Sequence, residues 1–245
     1  MLTPLLVALA AAQLHTALTH FRERRFVEAR ESIERALTEA PGDARAWKLL
    51  GMTYSAEENY AAAEAPFEKA CRLAPSLEDA CYYLGRDRYL LNKFEAAEQA
   101  FSAAIKRGGK PWRAHGGLAL TLEALGRIEA AERGFRRAAE LAANASPRPP
   151  ENPRIDYGAF MFRQGRLDEA IRELGLAPSC FRTHFERGKV LAAKERLEQA
   201  AQELEKALTF PDREASAALL LAKVYSRLGR AGDAEKLLAA YTGIR

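Results

Sequence analysis

The side chains of this sequence that could do chemistry do not gather around a reaction. Four histidines, His15, His20, His115 and His184, are scattered along the chain, and none stands at metal-ligand spacing from a cysteine or a second histidine. Three cysteines, Cys71, Cys81 and Cys180, make an odd count with no metal spacing. A Cys71–Cys81 disulfide is conceivable, but buried reduced thiols in alanine-like positions are the favoured reading, because free cysteine is commonly core. The glycine pairs Gly108-Gly109 and Gly116-Gly117 follow no strand, so neither is a phosphate loop. The first pair reads as a helix stop, the second as a close-packing point inside a helix. Most carboxylates fall where a helix would expose them. The expectation is a protein without catalytic residues, metal or cofactor. What is left to act is a set of arginines, lysines and aromatic residues, and these become interpretable only once the elements that carry them are placed.

Those elements show in the spacing. Trp47, Leu50, Gly51 and Tyr54 are followed by Ala63, Phe67, Ala70 and Pro75, within a unit from Ala44 to Leu77. The first set falls on one face of a helix, at i, i+3 and i+7, and Ala63, Phe67 and Ala70 do the same on a second helix. Gly51 and Ala63 are small because the two helices approach closely, and Pro75 ends the second helix by removing a donor. The same template returns at Glu78 to Pro111 (Leu84, Gly85, Ala97, Phe101, Ala104) and Trp112 to Ala145 (Leu118, Ala131, Phe135, Ala138). It is present earlier at Ala10 to Asp43 (Ala17, Ala29, Ile33, Ala36, Pro41). Beyond a break it continues at Glu151 to Cys180 (Tyr157, Gly158, Ala170, Leu174), at Phe181 to Glu214 (Gly188, Leu191, Ala200, Leu204, Ala207) and from Ala215 onward (Leu221, Tyr225, Ala234, Leu238). A glycine-arginine turn with an alanine four residues after the arginine, as in Gly126-Arg127 to Ala131, Gly165-Arg166 to Ala170 and Gly229-Arg230 to Ala234, supports the register independently.

This pattern resembles the tetratricopeptide repeat (TPR), and the unit at Ala44 fills all eight signature positions. The resemblance implies an all-α fold: a right-handed α-solenoid of about seven helix-turn-helix repeats, with a proline-rich break after repeat 4. Repeats of this kind bury each helix pair only against its neighbours, so 245 residues add units instead of deepening one core. Such proteins are extended binding surfaces. In the family the concave surface is lined by the first helix of each repeat. Carried over by position, it offers Arg45, Lys48 and Met52, then Asp79, Tyr82, Arg86 and Tyr89, then Arg113, Leu120 and Glu123. After the break it offers Ile155, Phe162 and Arg163, then Arg182, Phe185 and Lys189, then Lys223 and Arg227. Cations outnumber carboxylates along this line and aromatic residues interleave with them. The implied ligand is a protein or peptide segment carrying acidic residues or a C-terminal carboxylate, held by arginine forks and aromatic anchors in the service of complex assembly. The alternatives are nucleic-acid binding along the same basic line or an accessory role in an enzyme system. The net charge of +4 and pI near 9.0 are too mild to favour nucleic acid. The asparagine and lysine clamp by which some TPR domains grip chaperone tails is missing, since Met52 follows Lys48 where asparagine is needed.

Four segments follow from this frame. Residues 1–12 are apolar, read either as an export signal or as a helix opened by Pro4 that extends or caps the first repeat, with export slightly favoured. Residues 13–145 hold repeats 1–4, residues 146–153 a Pro-rich linker, and residues 154–245 repeats 5–7. No membrane span is expected, as the apolar run is shorter than the ~20 residues a span requires. The spacing of units stretches at the linker and contracts at repeat 5, where Gly175 and Pro178 cut a helix short. The last repeat carries no polar capping helix, which leaves its apolar edge open to self-association.

Overall fold

The computed structural model describes residues 4–74, 79–108, 111–145, 152–211 and 215–242. Among them are fourteen helices and no strand. They form consecutive pairs: α1 (Pro4–Arg22) with α2 (Phe26–Glu39), α3 (Ala44–Ala56) with α4 (Tyr60–Leu73), α5 (Ala80–Leu90) with α6 (Phe94–Lys106), and α7 (Pro111–Ala124) with α8 (Ile128–Ala143). Then come α9 (Pro153–Arg163) with α10 (Leu167–Gly175), α11 (Phe181–Ala193) with α12 (Leu197–Ala207), and α13 (Ala215–Arg227) with α14 (Ala231–Thr242).

One turn, used seven times, makes the pairs. At the end of each first helix a single residue takes a left-handed φ: Arg24, Glu58, Asn92, Gly126, Gly165, Glu195 and Gly229. Just after it, a backbone N–H reaches back to a carbonyl five residues earlier, from Arg25 to His20, Asn59 to Tyr54, Lys93 to Arg88, Arg127 to Leu122, Arg166 to Met161, Arg196 to Leu191 and Arg230 to Tyr225, at 2.8–3.0 Å. This bond satisfies a carbonyl that the helix end would leave open, and it requires the left-handed residue before it. Glycine adopts that φ without steric cost, which explains the glycine-arginine turns. The left-handed residues are 34 apart except for one step of 39 across residues 126–165 and one of 30 across residues 165–195, as the unit spacing predicts. The contraction has its physical cause in α10, which stops at Gly175 after nine residues.

Within each pair the second helix presents a large apolar side chain to a small residue on the first. A Cβ built on Gly51 would lie 2.7 Å from the Phe67 ring, and one on Gly85 2.8 Å from Phe101. On Gly158 it would lie 2.6 Å from Leu174. Phe67, Phe101 and Phe135 occupy the same place in successive repeats and are at most 2% exposed, as are Leu174 and Leu204 further on. Burying each contributes about 1.5–3 kcal/mol relative to exposure. Gly117 also lies against the Phe101 ring, whereas Gly116 faces open space; of this pair only Gly117 serves close packing.

The chain divides into two compact units, Met1–Ala138 and Ala139–Arg245. In the first, helices pack in chain order, and α1 and α3, α3 and α5, and α5 and α7 also touch. In the second, α9 touches α11 and α11 touches α13. Among the described residues no such contact joins the second helices α2 and α4, α4 and α6, α10 and α12, or α12 and α14. In each unit the first helices of the pairs therefore form the inner row.

Residues 4–12 continue without interruption into the first repeat helix, and Ala10 is buried. The thiol reading is corrected: Cys71 and Cys81 form a disulfide, leaving Cys180 as the free cysteine among the described residues. The end of α4 and the start of α5 bring the two sulfurs together, a proximity that sequence separation alone could not decide. No helix is long and apolar enough to cross a membrane among the described residues. Pro75 and residues 146–151 of the linker lie outside the described residues.

Candidate peptide-binding surface

The inner helix α3 of the first unit begins with a charge committed to folding. Asp43 caps α3, accepting from the Arg45 backbone N–H at 2.9 Å, and its carboxylate also takes the Arg45 guanidinium at 2.8 and 3.1 Å. The arginine's hydrogen bond, opposed by burial, holds the Asp43 carboxyl below its ordinary range. Lys48 and Met52 follow on α3, both half-buried. Trp47 donates its indole N–H to the Pro41 carbonyl at 2.8 Å, with Lys69 Nζ 3.9 Å above its ring.

On α5, Tyr82 lies among aromatic and cationic neighbours: 5.4 Å from Tyr83, 5.9 Å from Phe101 and 6.0 Å from the Arg113 guanidinium of α7. Tyr89 packs 5.6 Å from Phe94, and Leu90 beside it is 46% exposed. Arg86 is different. Its guanidinium grips Asp87 at 2.7 and 2.9 Å, donates to the Ser55 hydroxyl of α3 and sits 5.0 Å over the Tyr83 ring. Ser55 donates to the same Asp87 oxygen at 3.1 Å, while the other oxygen is buried without a partner among the described residues. Burial pushes the Asp87 carboxyl above its ordinary value, outweighing Arg86 and Ser55, which pull it down. Arg86 thus locks α5 to α3 in addition to standing on the inner row.

In the second unit, Lys189 Nζ of α11 lies 5.6 Å from the Phe162 ring of α9 and 5.5 Å from the Phe185 ring, and donates to Glu186 at 2.8 Å. Phe185 stacks on Phe181 at 5.7 Å. Arg182 pairs with Asp156 and Arg227 with Glu195. Arg163 and Lys223 are exposed. Leu219 on α13, a position the sequence reading passed over, is 53% exposed one turn before Lys223.

A polar network missed by sequence reasoning sits behind this face. His184 occupies the place that Trp47 takes in its own repeat. Its Nδ1 is 2.7 Å from Glu203 of α12 and its Nε2 is 2.8 Å from the Ser179 hydroxyl. Arg187 and Lys206 also approach Glu203, at 3.5 and 3.4 Å. Burial raises the Glu203 carboxyl, but the His184 bond and the two cations outweigh it and hold it below the usual range. The available signal was Arg187, at a position where most other repeats carry leucine or tyrosine, one turn after His184. A second network flanks the disulfide: Arg107 donates to both sulfurs and to the Cys71 carbonyl. No group of three metal-ligating residues is found among the described residues. A depression of about 150 Å³ beside the start of α9 is lined by Ala142, Ala143, Asn152, Arg154 and Leu176, with Arg154 already paired to Glu173 at 2.7 Å. It is smaller than sites for drug-sized ligands.

The sequence matches the tetratricopeptide repeat family model over residues 9–78, 82–149 and 162–215, well over half of its length. The chain belongs to the tetratricopeptide repeat family. No functionally curated protein matches it. Among solved structures, this TPR chain is similar to the APC/C hetero-tetramer Cut9–Hcn1, with a TM-score of 0.69 and 18% identity over 88% of this chain and 42% of the other; it therefore spans less than half of that relative. A TPR protein from Parabacteroides merdae gives a TM-score of 0.66 and 19% identity, covering 88% of this chain and 83% of its own. YrrB, described as a TPR protein with an unusual peptide-binding site, gives 0.50 and 24%, covering 76% and 95%. At these identities the likeness establishes the fold. TPR folds commonly mediate protein interactions and scaffolding.

Proposed function

We propose that this protein binds an acidic peptide segment of a partner along the inner helices of its repeats, and that this binding serves complex assembly. The observation that carries the reading is the meeting of half-exposed aromatic rings with cations on these helices, with Tyr82 beside Arg113 in one unit and Phe162 and Phe185 about Lys189 in the other. Flat rings supply apolar anchors of modest conformational cost, and cations beside them select carboxylates. YrrB, as a structurally similar TPR protein described as binding peptide, supports the class of ligand.

The internal pairs refine which residues are available. Arg86 is engaged by a buried aspartate, so reversing it would disturb folding as well as any ligand. Lys48 and Lys223 are the better pair. The test is affinity capture from the native host with wild type and a Lys48→Glu/Lys223→Glu variant of equal thermal stability. A partner retained by wild type and lost by the variant, whose acidic segment then binds as a synthetic peptide, supports the reading. An unchanged set of partners would move the function away from the inner helices.

A further inference from the structure

Two adjacent inner helices of the second unit repeat the same short arrangement. On α11, Phe185 is followed one turn later by Lys189; on α13, Leu219 is followed one turn later by Lys223. Residues four apart share a helix face. The face thus carries an apolar row, Phe185 and Leu219, and a parallel cationic row, Lys189 and Lys223. Leu219 is 53% exposed, and the apolar cluster of α11–α14 gathers in Phe185 and Leu220 but not Leu219. Lys189 is fixed by two rings and Glu186, whereas Lys223 makes no ion pair with any described residue.

The two rows impose a length on whatever lies across them. Packed helices stand about 8–10 Å apart, so equivalent side chains on α11 and α13 repeat at about that distance. A β-strand places residues i and i+2 on one face at about 6.6–6.8 Å, and i and i+4 at about twice that, so neither matches. A polyproline II segment repeats every three residues at about 3.1 Å each, or about 9.3 Å. That spacing falls in the helix interval. It also gives a three-edged rod, so one edge can meet the apolar row and a second the cationic row while the third faces water.

We infer that the α11–α13 face binds an acidic polyproline II segment in which an apolar residue and a carboxylate each recur every third position. This deepens the proposed function and rests on it. Its ligand is preformed and loses little conformational freedom on docking, which suits a face where Leu219 and Lys223 are exposed.

The experiment measures binding to the full-length protein by fluorescence anisotropy. The probes are a labelled peptide of four Leu-Pro-Glu triplets, the reversed order of four Glu-Pro-Leu triplets, and a peptide of identical composition with leucine and glutamate placed at alternate positions. A labelled oligothymidylate of similar charge is the nucleic-acid control. The expected result is at least tenfold tighter binding of one triplet peptide than of the alternating one. Leu219→Glu and Lys223→Glu should each weaken it at least tenfold with thermal melting unchanged, both residues being exposed. Equal or tighter binding of the alternating peptide would overturn the three-residue register while leaving an acidic-peptide surface intact. Binding of the triplet peptide that ignores both substitutions would place the ligand elsewhere on the protein. Preference for the oligothymidylate, or binding of no peptide, would remove this inference, and the capture experiment then decides separately whether another inner face takes a partner.

Discussion

Gly188 of α11 lies against Leu204 of α12 so closely that a Cβ on the glycine would fall 2.6 Å from Leu204 Cγ and 2.7 Å from Cδ2. Leu204 is fully buried and has no open side to retreat into. Gly188→Ala should therefore overpack the pair and cost about 1–3 kcal/mol. Gly232→Ala, on α14 with nothing within 4 Å, is the control; it should stabilise by about 0.5–1 kcal/mol through helix propensity. Thermal melting of the two variants reads both signs. A neutral Gly188→Ala would refute the close-approach account.

The left-handed turn gives a prediction in the stabilising direction. Glu58 holds a φ of 59° where three other repeats use glycine. Non-glycine residues pay about 1–2 kcal/mol for that conformation. Glu58→Gly should raise the melting temperature, with the gain reduced by the extra freedom glycine has when unfolded. Gly165→Ala should lower it.

Asp87 and Glu203 should respond to pH with opposite signs. Burial raises the folded-state pKa of Asp87. Its folded form holds the proton more tightly than the unfolded chain, so its contribution is greatest below the unfolded value of about 3.9 and falls as pH rises through the raised folded value. Glu203 is depressed by His184, Arg187 and Lys206 in spite of burial. Its contribution is present above the unfolded value of about 4.3 and is lost as pH falls through the lower folded value. Denaturant unfolding from pH 3 to pH 6 should show wild type losing ground to Asp87→Asn with rising pH, and gaining on Glu203→Gln. Parallel curves would contradict the assigned burial and partners.

The Cys71–Cys81 bond closes a short loop between α4 and α5, with a sequence separation of 10. Removing such a cross-link by Cys81→Ser should cost about 2–3 kcal/mol. Wild type in strong dithiol reductant under denaturing titration should approach the variant's stability, and the variant itself should not respond to reductant. Wild-type stability unaffected by full reduction would show that the bond contributes nothing.

The sequence by itself determined the repeat architecture, because it is written in local quantities. Glycine at a left-handed turn, a phenylalanine every 34 residues at Phe67, Phe101 and Phe135, and a small residue opposite each are visible without coordinates. Even the stretched and contracted repeats showed as shifts of this period. Only the tertiary structure decided which charges are spoken for. Arg45, Arg86, Arg182 and Arg227 read alike along the chain, yet Arg45 and Arg86 are engaged by the neighbouring Asp43 and Asp87, and Arg182 and Arg227 by Asp156 and Glu195, which the fold brings to them. Pairing of this kind depends on side chains reaching across a turn or a helix, which no period encodes. The disulfide and the Ser179–His184–Glu203 network belong to the same class. Each joins residues from different elements, so its existence depends on packing geometry and not on the pattern that builds the helices.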